Sequence, residues 1–132
     1  MRSFIGGITA SVPEDCHFTI IWNGDRIGIV GVVKSSALDG HDVELICAIT
    51  EAAQGNHFAH EACAAVIEWA VETRAWRRIL ACVSDRNPAS RAIVERLGFR
   101  KVKRRFLRDE DVFERSLETQ PKQRLNATAR VD

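Results

Sequence analysis

A strand, a long helix and a second strand follow one another in the middle of this chain, and this order constrains the fold most. Val43 to Thr50 is apolar except for Glu44 and Thr50, which predicts a strand covered on both faces. From Asn56 to Arg74 the apolar residues recur every three to four positions, as in an amphipathic helix. Arg77 to Ser84 predicts the next strand. Such a unit closes by a right-handed crossover, so the two strands should be parallel.

The flanking segments carry turn and cap signals. Asn23-Gly24 between two apolar runs predicts a hairpin. Asn87-Pro88 predicts the start of a second helix, and Gly98 its end. The other predicted strands are Cys16 to Trp22, Arg26 to Lys34, Phe99 to Leu107 and Val112 to Leu117. We expect a mixed α/β sheet with helices on both faces, formed by one domain over residues 1–118, and a polar, disordered tail over 119–132.

Composition excludes several classes of protein. The chain has 132 residues and a net charge of +1, which favours neither a general nucleic-acid binder nor an acidic partner. No apolar run approaches the length of a membrane span. The four cysteines, Cys16, Cys47, Cys63 and Cys82, lack CxxC spacing, so a metal site is not expected. Reduced core thiols in a cytoplasmic protein are the simplest interpretation.

The junction between the central strand and its helix has the composition of an anion-binding turn. It reads Gln54-Gly55-Asn56-His57-Phe58-Ala59. Unpaired N–H groups at a helix start favour a pyrophosphate, although an ordinary strand-to-helix turn has the same composition. His57 could crowd a phosphate or, when protonated, donate to it.

The order of these elements resembles the GNAT N-acetyltransferase superfamily, and most closely its ribosomal-protein N-terminal acetyltransferases (RimJ/RimL-like). The resemblance spans about residues 17–117. The residues that carry it are Ile27-Gly28, Gly31, Glu44-Leu45, Ile49, Gln54 to Ala62, Asn87, Ser90 and Leu97-Gly98-Phe99.

The resemblance implies a site for acetyl-CoA without a metal. The pyrophosphate would lie on the turn, with Gln54 in the first motif position, Ala59 in the last, and His57 where the family has glycine. The central strand would splay from its parallel neighbour, and the pantetheine arm would pair with the backbone of Cys47, Ala48 and Ile49. Asn87 would reach the pantetheine.

Acetyl transfer to an amine needs a proton acceptor and a stabilised leaving thiolate. Glu44 is the candidate base, although a solvated strand-end charge is an equal alternative; His41 and Asp42 are weaker candidates. Ser90 is the candidate partner of the thiolate, since the chain has no tyrosine, but it also suits an ordinary helix start.

These residues predict an acetyl-CoA-dependent N-acetyltransferase that acts by direct transfer on a protein N-terminus or a small amine. One alternative is a non-catalytic CoA-binding or assembly module. Another is an RNA-associated domain, on the basic run Arg100, Lys101, Lys103, Arg104, Arg105 and Arg108, although such charges also suit a solvated edge strand.

Only about sixteen residues precede the first hairpin, so most of the family's first strand and its first helices are not expected. The first ten residues could still form a short edge strand. The chain would then be a fragment, have an open acceptor site, or be completed by a second copy as a homodimer.

Overall fold

The computed structural model describes residues 4–6 and 15–118. The strands are β1 (Phe4–Gly6), β2 (Cys16–Trp22), β3 (Asp25–Ser35), β4 (Asp42–Ile49), β5 (Arg78–Ser84), β6 (Arg100–Arg105) and β7 (Glu110–Ser116). The helices are α1 (Phe58–Thr73) and α2 (Pro88–Arg96). These bounds confirm the predicted elements to within a few residues. The predicted tail, residues 119–132, lies outside the described residues.

The strands form one sheet in the order β1-β2-β3-β4-β5-β7-β6. β4 and β5 are parallel and connected by α1, which confirms the predicted strand–helix–strand unit. The other neighbouring pairs are antiparallel. β1 pairs with β2 as the short edge strand anticipated within the first ten residues.

Both helices pack on the same face of the sheet, so the prediction of helices on both faces is wrong for the residues described. A single core cluster contains Val66 of α1, Val94 of α2 and Ile79 of β5. The alternate β5 residues Leu80 and Cys82 belong to a second, smaller cluster that holds no helical residue. That cluster is covered by Ala37 and Leu38 of the β3–β4 loop. We call the two sides the helix face and the loop face.

The prediction that the central strand is covered on both faces is also only partly correct. β4 is buried at Asp42 and Val43, but Cys47 and Ala48 are exposed. The exposed half lies beyond the point where β4 loses β5 as a neighbour. Apolar composition could not reveal this, because a strand that lines a cleft and a strand in a core have the same residue types.

Two glycines of β3 allow close approach of the neighbouring strands. A Cβ atom on Gly28 would overlap the backbone carbonyl of Ala48, and one on Gly31 would overlap that of Cys16. The first contact joins β3 to the exposed half of β4, so Gly28 helps to hold that half in the sheet. Neither helix of the described chain is long and apolar enough to cross a membrane.

Candidate active site

β4 and β5 separate into a wedge. They are paired only at Val43–Ile79 and Glu44–Leu80, although β4 continues to Ile49 and β5 to Ser84. On their outer sides β4 stays paired with β3, and β5 with β7, along this length. Among the residues described, none on β5 pairs with the β4 residues beyond Glu44. The wedge, between 45–49 of β4 and 81–84 of β5, therefore offers backbone hydrogen-bonding groups to an extended ligand.

The predicted anion-binding turn lies at the end of β4, next to the open side of the wedge. Its two amide side chains donate to backbone carbonyl groups that precede the turn: Gln54 Nε2 to Ile49 O at 3.1 Å, and Asn56 Nδ2 to Ala53 O at 3.1 Å. No side chain caps the N-terminus of α1. The first intrahelical bond runs from Glu61 N to His57 O. The N–H groups of the first turn of α1 are thus left for a ligand or water.

His57 adopts a left-handed backbone conformation, with φ of 64°. This conformation costs an L-residue roughly 1–2 kcal/mol and is the one that glycine adopts freely. Glycine suits this position of the family motif because it adopts the left-handed conformation freely. His57 adopts the same conformation but carries a side chain. The imidazole is exposed at the turn.

Phe58 fixes the position of the turn. Its side chain is buried, and its ring centroid lies 5.3 Å from that of Trp22 on β2. This contact between the buried Phe58 and the partly buried Trp22 attaches the start of α1 to the sheet. Phe58 therefore has a clear structural role, and only its backbone N–H is available to a phosphate.

Glu44 lies where the wedge begins, and its side chain is on the loop face. Ser35 Oγ donates to Glu44 Oε1 at 2.7 Å, and Cys82 Sγ donates to the same oxygen at 3.7 Å. No described residue hydrogen-bonds to Oε2. The carboxylate is thus held through one oxygen, and the other can accept a proton or orient a water molecule.

Cys82 and Ser35 are the residues at this site that the sequence did not indicate. Burial, followed by the negative charge of Glu44, raises the pKa of the Cys82 thiol to about 12. Arg105 Nη1 lies 3.8 Å from the Cys82 sulfur and also pairs with Glu110. Strand register was the missing information, since Ser35 and Cys82 reach Glu44 from two different neighbours of β4.

Asn87 and Ser90 are both involved in capping α2. Asn87 Oδ1 accepts a hydrogen bond from Ser90 N at 3.0 Å, and Pro88 is the first helical residue, as predicted. α2 lies on the helix face, whereas the Glu44 side chain lies on the loop face. No hydrogen bond between described residues joins Ser90 to Glu44, so the two candidate catalytic residues are not brought into contact.

The basic run on β6 is largely neutralised by acids. Asp111 is buried and pairs with Arg91, Lys101 and Arg104. Arg91, then Arg104 and Lys101, lower the pKa of this carboxyl to about 2. Arg100 pairs with Glu114 at 2.7 Å. This pairing favours the interpretation of the run as a charged edge strand over the RNA-binding alternative.

The wedge and the adjoining turn define the class of protein. The chain belongs to the acetyltransferase (GNAT) domain family, whose model matches residues 2–100. No curated protein matches the sequence at a significant level.

Solved structures share the fold. An acetyltransferase from Agrobacterium tumefaciens is 25% identical with a TM-score of 0.63, over 75% of this chain and 59% of that protein. A ribosomal-protein-S5-alanine acetyltransferase from Vibrio fischeri is 20% identical with a TM-score of 0.66, over 76% and 61%. A putative acetyltransferase from Salmonella typhimurium, solved with its cofactor acetyl-CoA, is 20% identical with a TM-score of 0.65, over 80% and 66%. The chain thus spans about 60% of the length of the first two proteins.

Proposed function

We propose that the chain is an acetyl-CoA-dependent N-acetyltransferase that transfers acetyl directly to a primary amine. The wedge is the observation that carries this proposal, because it combines unpaired strand backbone with a helix N-terminus at its open end. In the proposed complex the turn 54–59 binds the pyrophosphate, the backbone of 47–49 pairs with the pantetheine, and Asn87 lies at its edge.

The proposed transfer uses groups on both faces of the sheet, Glu44 at the narrow end of the wedge and Ser90 on α2. Oε2 of Glu44 takes the proton of the attacking amine, directly or through water. The carbonyl oxygen of the acetyl group gains negative charge and is stabilised by backbone N–H groups of the wedge. As the C–N bond forms, the C–S bond breaks, and Ser90 donates a hydrogen bond to the departing thiolate.

For the acceptor we propose a protein N-terminus, with a small amine as the alternative. The residues shared with the RimJ/RimL-like enzymes support this choice, and the Vibrio fischeri structure shares the fold. A second copy of the chain is the proposed partner that completes the acceptor wall, since no described helix covers the loop face. Sedimentation of the full chain measures its oligomeric state. A dimer is expected, and a single monomeric species would contradict the proposed second copy.

Thermal unfolding with acetyl-CoA, followed by turnover on a panel of peptides and amines, tests the function. Ligand at a hundred times its dissociation constant should stabilise the chain by about 2.7 kcal/mol. A shift with turnover supports the enzyme. A shift without turnover supports the CoA-binding module, which the His57 side chain at the cradle favours. No shift at millimolar acetyl-CoA contradicts both functions.

A further inference from the structure

The closed end of the wedge carries an ion pair that joins β4 to β5. Asp42 is the first residue of β4 and Arg78 the first of β5, one position before the first backbone pair between the strands. Arg78 Nε donates to Asp42 Oδ1 at 2.8 Å, and Arg78 Nη2 donates to Asp42 Oδ2 at 2.9 Å. The Asp42 side chain is 9% exposed. A bidentate contact of this kind fixes the orientation of both side chains and so holds the two strand ends together.

The same guanidinium continues the contact across the sheet. Arg78 Nη1 donates to Glu114 Oε1 of β7 at 2.9 Å, and Glu114 Oε2 accepts from Arg100 Nη2 of β6 at 2.7 Å. Four strands that are neighbours in the sheet are thus joined in series. The two ends of the series differ, because Asp42 is buried and the Arg100 side chain is 78% exposed. Exposed ion pairs contribute little, so the link between β4 and β5 should matter most.

Few hydrogen bonds fix β4 relative to β5. Their backbones pair only over 43–44 and 79–80, whereas β4 pairs with β3, and β5 with β7, along their length. Besides the Asp42–Arg78 pair, the described residues form one side-chain hydrogen bond between the two strands, the long contact of 3.7 Å from Cys82 to Glu44. A bidentate ion pair beside so short a paired segment therefore restricts the angle between the strands.

We propose that Asp42 and Arg78 are positioning residues, whose ion pair sets the angle between β4 and β5 and thereby the width of the wedge. The inference rests on the proposed function for its ligand, since the wedge is the proposed site of the pantetheine. Both residues lie beyond the paired segment, on the side away from the open wedge. Their effect on acetyl-CoA is thus exerted through the backbone of β4 and β5 and needs no contact with the ligand.

A cavity of about 530 Å³ lies beside the ion pair, and Asp42, Arg78 and Glu114 line it together with the residues 75–77 that precede β5. Water in a polar cavity can solvate a charge that has lost its partner. Variants of the ion pair should therefore fold, so that the strand angle can be tested in the folded chain.

Hydrogen exchange of the full chain without ligand tests the positioning role. Asp42→Asn keeps the shape of the side chain and removes its charge, so amide exchange should accelerate at 43–44 and 79–80, where the strands pair. Exchange in the β2–β3 hairpin should stay at the wild-type rate. Arg100→Gln is the matched control, because it breaks an ion pair of the same series without altering the link between β4 and β5, and exchange at both segments should stay unchanged.

Titration with acetyl-CoA measures the consequence for the wedge. Asp42→Asn should weaken binding about tenfold, a size typical of substitutions that act on a site without contacting its ligand. In turnover the KM for acetyl-CoA should rise, and kcat at saturation should stay near that of wild type, because Glu44 is unaltered. Adding Arg78→Gln should weaken binding no further, since both substitutions remove the same link. If Asp42→Asn does not fold, Arg78→Lys should produce the same changes, because lysine keeps the charge but loses the bidentate geometry.

The two measurements separate this inference from the proposed function. Unaltered exchange at 43–44 and 79–80 in Asp42→Asn, or exchange that accelerates equally throughout the chain, would overturn the positioning role. An unaltered affinity for acetyl-CoA in a variant whose exchange has changed would overturn it as well. A wild-type chain that binds no acetyl-CoA would contradict the proposed function, and the exchange measurement would still decide whether the ion pair controls the angle between the strands.

Discussion

Ser35 donates a hydrogen bond to Glu44 across the β3–β4 hairpin, with Oγ and Oε1 separated by 2.7 Å. Ser35 is itself buried, and its Oγ also accepts from the Ala37 N–H at 3.2 Å. The loop that leaves β3 thereby fixes the carboxylate at the start of the wedge. Both proposed steps, proton acceptance and thioester binding, then occur at neighbouring positions on β4.

Ser35→Ala should reduce kcat about tenfold, because a hydrogen bond to a charged group contributes roughly 1.5–3 kcal/mol and part of this positions the base. The acetyl-CoA thermal shift should stay unchanged, because the Ser35 side chain lies on the loop face and is not part of the proposed acetyl-CoA site. Ser36 is exposed, so Ser36→Ala is the control and should alter neither kcat nor the thermal shift. An unaltered kcat in Ser35→Ala would mean that this contact does not position Glu44.

Glu44→Gln should lower kcat by about 10²–10⁴-fold and leave acetyl-CoA binding intact, since the amide keeps the shape but cannot accept the proton. Steady-state kinetics combined with thermal shift separate the two effects. Asp39→Asn is the control, because it also removes a carboxylate but at an exposed loop residue, and it should leave kcat unchanged. Equal activity of Glu44→Gln and wild type would remove Glu44 as the base.

His57→Gly should stabilise the fold by about 1 kcal/mol, because glycine adopts the left-handed conformation without strain. It should also change the dissociation constant of CoA, because it removes a side chain from the proposed cradle. Arg74→Gly is the control at the other end of α1, where φ is 57°. It should relieve similar strain and leave CoA affinity unaltered. Titration calorimetry measures both variants, and an unchanged constant for His57→Gly would mean that the cradle is misplaced.

Asp111→Asn should destabilise the chain by about 2 kcal/mol at neutral pH, since a charged acceptor of several hydrogen bonds is lost. The pKa of this carboxyl is lowered to about 2 in the folded chain, below its unfolded value of about 4. Its contribution is therefore complete above pH 4 and is lost as the pH falls towards 2. Urea unfolding at a series of pH values should show that the free energies of unfolding of wild type and Asp111→Asn approach each other as the pH falls towards 2.

The control for this prediction is Asp109→Asn, because the Asp109 side chain is 73% exposed and lies 3.7 Å from Arg104. That substitution should have little effect at any pH. A stability difference between wild type and Asp111→Asn that persists unchanged at pH 2 would contradict the assigned role of Asp111.

The elements and their order could be predicted because they depend on local patterns. Asn23-Gly24 formed the predicted hairpin turn, Asn87-Pro88 the predicted helix start, and the parallel pairing of β4 with β5 followed from the intervening helix. The prediction of helices on both faces was wrong for the described residues, because a helical pattern shows which residues are buried but not which face of the sheet they cover.

What the sequence determined by itself is thus the family, the strand–helix–strand unit and the turn at its centre, since local propensity and spacing encode them. The tertiary structure decided which side chains meet. The sequence gives no sign that Ser35 and Cys82 share one oxygen of Glu44. These contacts depend on strand register and on where β4 leaves β5, and residues far apart in the chain fix both.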